Sequence, residues 1–529
     1  MHMSAEQAHP SEMTAILQQM QCDISLLKEQ LKVRDAEIER LTQMLVNAQR
    51  ARFGQRSEKR TYVIDDASKQ LSLFDEAERE ASEAATESEI ETFVTEHIRK
   101  KKRTKEELFK SLPVKEIEYE LSPDQLIDDR GYHYECIGRE FVRSELNMIP
   151  QQVLRMDYYR KVYASKQYEK DTGYAHILKP ELPQPVMKHS MASPSSVADV
   201  MAKKYANGMP LYRQEQEWKR LGVELSRNTL ANWVIRSTND WFIPVYELIK
   251  QTLLKEPVIH ADETHLQVLK EDGKAATSQS EMWVYASAPR SERQIRYFDY
   301  QCSRSGDCAK AFLNGFHRIL ICDGYSGYNK LEGMTRGGCW SHTRRKWRDA
   351  IPKGVKPESS KAVQGYEYCN RLFALEKKMS KLTDDERLKE RQKNSHALLV
   401  EYWSWLNSFV PEKGSKLEEA VRYSLNQKEF LCAFLNHGCM EISNNQVENA
   451  IRPFVIGRKG WLFCDTPKGA TASAIVYTLV ETAKANHIDP YRYLLRLLTI
   501  LPMYAGKPSS ENLYQLLPWS EYMQKDCSF

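Results

Sequence analysis

The stretch PVIHADETHLQVL, residues 257–269, constrains the fold of this chain more than any other. Val258, Ile259, Leu266, Val268 and Leu269 are strand formers, and the run is short enough for one buried strand. Asp262 and Glu263 stand at its centre. Side chains alternate across a strand, so Asp262 shares a face with Val258, Thr264, Leu266 and Val268, while Glu263 points to the other. A buried, unpaired carboxylate is costly. Two readings meet that cost. The strand lies at an edge with its carboxylates wet, or it holds a carboxylate rigidly for metal binding or acid–base chemistry.

The sequence that follows favours the second. Strands EMWVYASA and RQIRYFDY come next, then the helix DCAKAFLNGF, then the strand RILICDGYSGY. Three successive strands, a helix and a fourth strand make the opening order of an RNase H-like α/β fold. Asp323 ends the fourth strand, and Gly324 lets the backbone turn away there. In such a sheet this end lies beside the middle of the first strand. A third carboxylate is expected from a late helix, and SNNQVENAIRPFVIGRKGWLF supplies Glu448, with Asn445 and Arg452 at i−3 and i+4 on its face. Ser443 and Gln446 read as a capping box for that helix and Pro453 as its end. Glu263 and Glu441 are the rival third carboxylates. Strand alternation turns Glu263 away, and Glu441 precedes the cap in a segment read as flexible. Three carboxylates from distant segments suit hard divalent cations. Two Mg²⁺ (or Mn²⁺) ions so held clamp the attacking and leaving oxygens of a phosphodiester displacement. His260 reads as a structural neighbour of Asp262 rather than a ligand.

The rest of the chain divides around this core as a multidomain α+β protein. Residues 1–60 carry heptad spacing, with Ile24, Leu27, Leu31, Ile38, Leu41 and Leu45 at a/d positions, and read as a coiled coil; one amphipathic helix docked on its own body is the alternative. Residues 61–110 form a polar linker, acidic and then basic. Residues 111–187 alternate as short strands of a small β-rich module. In residues 188–250 three helices follow, two of them meeting at a turn on Gly222, with Ser226 capping the third. They resemble a helix-turn-helix. Arg227, Asn228, Thr229 and Asn232 are placed to read base edges or phosphates, with Leu230, Trp233 and Val234 towards the core. A plain helical hairpin carries the same signature. Residues 251–352 and 438–505 form the catalytic domain, residues 353–437 an all-helical insertion with a Thr383–Glu386 capping box, and residues 506–529 a C-terminal tail.

Basic residues cluster after the core strands: His342, Arg344, Arg345 and Lys346 in SHTRRKW, then Arg452, Arg458 and Lys459 beyond Glu448. Each reads as a phosphate contact or as solvated surface. The net charge of +4 does not by itself argue for nucleic acid. The 11 cysteines are scattered, no secretory pattern opens the sequence and no apolar run reaches membrane length, so a reducing, bacterial cytoplasmic setting beside the nucleoid is expected.

RFGQRSEK, PLYRQEQEWKRLGVELSRNTLANWV, HADETHLQVL, CDGYSGYNKL, CWSHTRRKW, NNQVENAIRPFVIGRKGWLF and TAKANHIDPYRYL together resemble the large transposase of the insertion sequence 66 family. The resemblance implies a DDE transposase with its triad on Asp262, Asp323 and Glu448. The implied activity is DNA cleavage at element ends and transfer of the 3′-hydroxyl into target DNA. Implied partners are the terminal inverted repeats, target DNA, a second copy or more of the chain, and accessory proteins of the same element. One departure concerns zinc. Members of this family carry CxxC pairs before the helix-turn-helix, whereas this chain has only Cys136 in YHYECIGREF, so zinc is not expected there. Cys339 and His342 are only half of a zinc ligand set. A catalytically silent DNA-binding regulator and an RNase H-like nuclease remain the alternatives.

Overall fold

The computed structural model describes residues 19–21, 23–30, 34, 37, 114–119, 122, 126, 135–136, 138–141, 151–165, 170–174, 177–352, 360–504 and 508–528. Two units emerge, one of residues 1–50 and 152–529 and one of residues 51–151.

In the smaller unit, the described residues 114–119 and 139–141 of two expected strands are not strands. Val114, Ile117 and Tyr119 are exposed, so among the described residues no second layer offsets the ordering of a ladder. Arg139 spans the segment instead, bonding Glu116 at 2.7 Å and Glu118 at 3.0 Å. Elsewhere in residues 111–187, the described ladder is one antiparallel pair, Tyr163–Ala164 with Ile177–Leu178. Near the N-terminus residues 19–21 and 23–30 are helical, with Ile24 and Leu27 exposed; Leu31, Ile38, Leu41 and Leu45 lie outside the described residues.

The larger unit is built on a mixed sheet of five strands: β1 (Val258–Gln267), β2 (Gln279–Ser287), β3 (Arg296–Gln301), β4 (Ile319–Ile321) and β5 (Thr335–Gly337). Their order is β3-β2-β1-β4-β5. β1 pairs antiparallel with β2 and β2 with β3. β1 and β4 are parallel, as are β4 and β5. The strand with the carboxylates is therefore central, which removes the edge-strand reading of Asp262.

Helices α1 (Pro194–Met201), α2 (Leu211–Arg220), α3 (Arg227–Ser237) and α4 (Ile243–Leu253) precede the sheet. Ser226 caps α3 by accepting from Thr229 N, and Leu230, Trp233 and Val234 are buried. Gly222, in the α2–α3 turn, has a φ of 86° that a Cβ would strain. These helices share one continuous core with the sheet and with the C-terminal helices. Helix α5 (Gly306–Phe312) connects β3 to β4, and α6 (Trp340–Asp349) follows β5.

The described insertion is built of helices joined by short turns, with no strand: α7 (Lys361–Lys378), α8 (Asp384–Glu390) running through a π turn into α9 (His396–Leu406), α10 (Lys416–Asn426) and α11 (Lys428–Cys432). Thr383 and Glu386 form the expected capping box. Alternation along β4 divides two cores: Leu320 and Cys322 enter the main one, while Ile319 and Ile321 enter a second one with insertion residues such as Leu372, Tyr402 and Leu431.

Helix α12 (Asn445–Trp461) differs from expectation at both ends. Its N-cap is Asn444, not Ser443, and Gln446 does not reach back to a cap but donates to Gln294 Oε1 at 3.1 Å. Pro453 lies inside the helix rather than ending it. An interior proline loses its N–H bond and crowds the carbonyl four residues back, a cost of about 3 kcal/mol that packing has to offset; here Ala450, Ile451, Phe454 and Gly457 are buried on both sides of it. The helix ends at Leu462, with φ at 64°, and Cys464 N then donates to Gln267 O at 2.9 Å, which ties the turn to the end of β1.

Helix α13 (Pro467–Ala485) lies against β3, where Thr478 Oγ1 accepts from Phe298 N at 2.9 Å. Helix α14 (Pro490–Ile500) packs on α1. Residues 508–528, read from the sequence as a tail, form α15 (Ser510–Gln515) and α16 (Glu521–Cys527), with Leu516, Leu517, Met523 and Cys527 buried. No helix among the described residues is long and apolar enough to cross a membrane.

Candidate active site

Parallel pairing of β1 with β4 sets Ile259 opposite Leu320 and His260 opposite Ile321. Cys322 N still donates to Gly337 O at 3.1 Å, so the strand direction holds up to Asp323. Carrying the register two residues on brings Asp323 opposite Asp262. Both have the strand parity of Ile321, so both turn to one face of the sheet. Asp262 Oδ1 accepts from Glu263 N at 2.9 Å. Asp323 Oδ1 accepts from Tyr325 N at 2.9 Å, an Asx turn that fixes the carboxylate as the chain leaves the strand. Gly324 is required by a close approach: a Cβ there would meet the Tyr423 ring of α10 at 2.8 Å.

Burial raises the Asp262 carboxyl pKa well above the usual carboxylate range, and the charges of Glu263, Asp323 and Glu448 push the same way. The nearby ion pairs go to Glu263 and Glu448; among the described residues none goes to Asp262 or Asp323. Negative charge therefore converges here without a matching positive side chain on the two aspartates.

Glu448 projects from the first turns of α12. Its Oε2 accepts from Arg345 of α6 at 3.2 Å. Its Oε1 stands 3.6 Å from His342 Nδ1, and each of these two atoms is buried without a hydrogen bond.

Glu263 is turned away as strand alternation requires. Arg304 donates to its Oε1 from two nitrogens, at 2.9 and 2.7 Å, and Tyr328 donates to Oε2 at 3.0 Å. Arg304 also covers the Tyr325 ring, and Tyr325 donates to Arg304 O. Glu263 thus ties the turn after Asp323 to the strand of Asp262. Glu441, read as part of a flexible segment, is instead held by Arg387 at 3.2 Å, and Arg387 also donates to Met440 O at 2.9 Å. The reason is packing: the Arg387 side chain is only 3% exposed and must satisfy its charge locally.

Sequence reasoning misses Asn444. Its Nδ2 donates to Ala261 O at 2.8 Å, its Oδ1 faces His260 Nδ1 at 3.2 Å, and its N donates to Cys339 Sγ at 3.2 Å. Through its side-chain amide and its backbone N–H, this one buried residue links β1, the start of α6 and the helix of Glu448. Burial pushes the His260 imidazole down to about 4, so this neighbour of Asp262 is neutral. The only sequence signal was the asparagine pair in SNNQVEN, which also suits an ordinary cap.

The basic candidates separate. Arg345, Lys346, Arg452 and Lys459 are exposed. Arg344 is turned into the insertion, bonding Tyr366 Oη at 3.1 Å and covering the rings of Tyr366 and Phe373. Arg458 donates to Thr264 Oγ1 at 3.1 Å and to His265 O. Arg227, Asn228 and Asn232 of α3 are exposed, and Thr229, one turn before the buried Trp233 on its face of the helix, is half-buried.

Comparison with known proteins gives the chain's family. Residues 189–472, more than half of the chain, match the profile of the "Transposase IS66 family". Residues 478–519 match the "IS66 C-terminal element", which covers α14 and α15, and residues 40–117 match "Transposase C of IS166 homeodomain". The chain is 31% identical over 518 residues to uncharacterized protein y4qI of Sinorhizobium fredii (strain NBRC 101917 / NGR234), covering 94% of this chain and 92% of that one. A second protein of the same strain, y4hP, is 29% identical over 349 residues, 62% of each chain. Among solved structures, the Drosophila P element transposase strand transfer complex overlaps 58% of this chain and 94% of that chain at a TM-score of 0.32 and 11% identity, an overlap that carries no argument for the fold. With the family profile spanning the sheet, the insertion and all three converging carboxylates, the chain belongs to the IS66 transposase family.

Proposed function

We propose that Asp262, Asp323 and Glu448 form the catalytic centre of a DDE transposase on an RNase H-like sheet, which cuts DNA at the ends of its element and joins the freed 3′-hydroxyl to target DNA. The observation that carries this reading is the β1/β4 register, which brings two carboxylates to one face of a central strand pair without basic partners. The order β3-β2-β1-β4-β5, antiparallel and then parallel about β1, supports the RNase H-like reading.

The donor set fits hard divalent cations. It offers carboxylate oxygens, the two aspartates repel one another with no ion pair among the described residues, and Glu448 Oε1 is an orphaned buried acceptor. Mg²⁺ or Mn²⁺ ions bound by the three carboxylates would polarise the phosphodiester and stabilise charge on the attacking and leaving oxygens. The chain's own groups do the rest. β1 and the Asx turn at Asp323 fix two carboxylates rigidly, and the Glu263–Arg304–Tyr325 contacts hold that turn. Arg345 holds Glu448 and is exposed enough to exchange it for a DNA phosphate. Lys346, Arg452 and Lys459 flank the same face as backbone contacts, and the α3 residues Arg227, Asn228, Thr229 and Asn232 read the element ends as a helix-turn-helix would. Residues 1–60 pair protomers, so that two DNA ends meet in one assembly.

Incubating the protein with Mg²⁺ and labelled DNA bearing element ends tests this. Wild type should cut and join, while Asp262→Asn, Asp323→Asn and Glu448→Gln should bind without cutting. Binding alone by wild type would make it a regulator, and cutting without joining a nuclease.

A further inference from the structure

Cys339, His342 and Glu448 come together where the chain sequence offers only the half-set Cys339-x-x-His342. Their ligand atoms all lie within 4.8 Å of one another. Cys339 is the N-cap residue of α6 and His342 lies in its first turn, so a spacing of three stacks them on one face, and Glu448 meets them from α12. Three features suit a cation rather than a water-filled gap. The facing atoms His342 Nδ1 and Glu448 Oε1 are both buried and have no hydrogen bond. Their separation of 3.6 Å already falls in the roughly 3.3–3.8 Å that ligand atoms span across a tetrahedral zinc with bonds of about 2.0–2.3 Å. Cys339, 1% exposed, brings a soft donor to the cluster: its sulfur accepts the Asn444 N–H at 3.2 Å, and burial pushes the thiol up to about 12, so a bound cation displaces its proton. Arg345 occupies only Glu448 Oε2 and leaves Oε1 to the cluster.

We propose that Cys339 Sγ, His342 Nδ1 and Glu448 Oε1 form a second metal site, selective for a borderline-soft divalent cation of the Zn²⁺ class, with its fourth position open. Sulfur and imidazole select such an ion over Mg²⁺, which prefers oxygen throughout. Binding releases the Cys339 proton to buffer and forms three coordinate bonds. Because Glu448 cannot serve both sites with the same geometry, occupancy draws it from the aspartates and inhibits Mg²⁺-supported cleavage. The inhibition rests on the catalytic reading of Glu448; the binding does not.

The test is a titration of metal-stripped, full-length protein with Co²⁺ as the spectroscopic stand-in for zinc. One equivalent should give a thiolate-to-cobalt band in the near ultraviolet and visible bands of four-coordinate intensity, all displaced by one equivalent of Zn²⁺. Cys339→Ser should lose the thiolate band, and the exposed-thiol control Cys302→Ser should keep it. His342→Gln should weaken cobalt binding by more than the roughly 10–100-fold that loss of an outer-shell partner costs. Equimolar Zn²⁺ should inhibit cleavage by wild type and not by Cys339→Ser. No thiolate band in wild type, a band that survives Cys339→Ser, or unchanged cobalt affinity in His342→Gln would each overturn the site. If Cys339→Ser does not fold, the His342→Gln affinity decides. A cobalt band in a wild-type protein that never cleaves with Mg²⁺ would leave this site standing and sink the transposase reading alone.

Discussion

Glu441 and Glu448 are close in sequence and stand in opposite surroundings. Glu448 has one oxygen on an exposable arginine and one with no hydrogen bond, whereas Glu441 compensates the buried Arg387. Glu448→Gln keeps shape and removes charge, so cleavage should fall by at least ~10²-fold, as for other preorganised electrostatic groups, with melting temperature and DNA binding preserved. Glu441→Gln should do the reverse. It weakens a hydrogen bond to a charged group, worth about 1–3 kcal/mol of stability, while the folded fraction cleaves normally. Denaturant titration beside a cleavage assay separates the two, and equal loss of cleavage in both would overturn the assignment. Asp299 of β3 makes a residue-scale prediction of another kind. Burial, the largest cause, raises its carboxyl pKa to about 6, with the Gln301 hydrogen bond and Lys250 opposing. Between about 3.8 and 6 the folded chain holds this proton more tightly than the unfolded one, so Asp299's contribution to stability is lost as pH rises through that window. Asp299→Asn should therefore stabilise the protein at pH 7 and change little at pH 4. Equal shifts at both pH values would rule out burial of charge as the cause.

At the scale of elements, helix α3 was legible because three local signals agreed: the Ser226 cap, the apolar Leu230–Trp233–Val234 stripe and the turn at Gly222. Its exposed N-terminal half offers Arg227 and Asn228. Replacing both with Ala should reduce binding to element ends more than to random DNA, since base contacts carry specificity and phosphate contacts do not. A gel-shift series showing equal loss on both DNAs would demote α3 to a positioning role. Helix α12 was legible only in part. Its place in the chain was read correctly, but its cap and its length were not. Asn444 won the cap because its amide is engaged by Ala261 and His260, partners remote in sequence, and Pro453 was overruled by packing on both sides.

Across the whole molecule, the insertion is fastened to the chain that leads into α12. Arg391, with a fully buried side chain, bonds Glu376 at 2.8 and 2.6 Å and the carbonyls of Phe434, His437 and Gly438 at 2.6–3.3 Å. Arg391→Met removes one partner of a buried pair and should cost about 3–5 kcal/mol, read by denaturant titration. A change under ~1 kcal/mol would mean that Glu376 finds water instead. The insertion also reaches Asp323 through Tyr423 at Gly324, so its fold and the site's geometry are coupled. At the other end, deleting residues 1–60 should weaken self-association while leaving the sheet folded. Sedimentation showing an unchanged oligomer would refute the coiled-coil role.

The sequence by itself determined what depends on near neighbours. Strand alternation separated Asp262 from Glu263, the order of strands and helices announced the sheet, and the Thr383–Glu386 box opened the insertion helix. Motif by motif it also carried the family. Tertiary structure decided whatever needed a partner far along the chain: that β1 is central, that Glu441 is clamped, that Arg344 and Arg458 are spent on packing and backbone contacts, that the C-terminal residues are core and not tail. It also added Glu448 to Cys339 and His342. A residue's propensity and its place in a period are local properties, whereas a charge or a ligand atom is defined by what stands across from it, and α6 and α12 are neighbours in space although the whole insertion separates them in the chain.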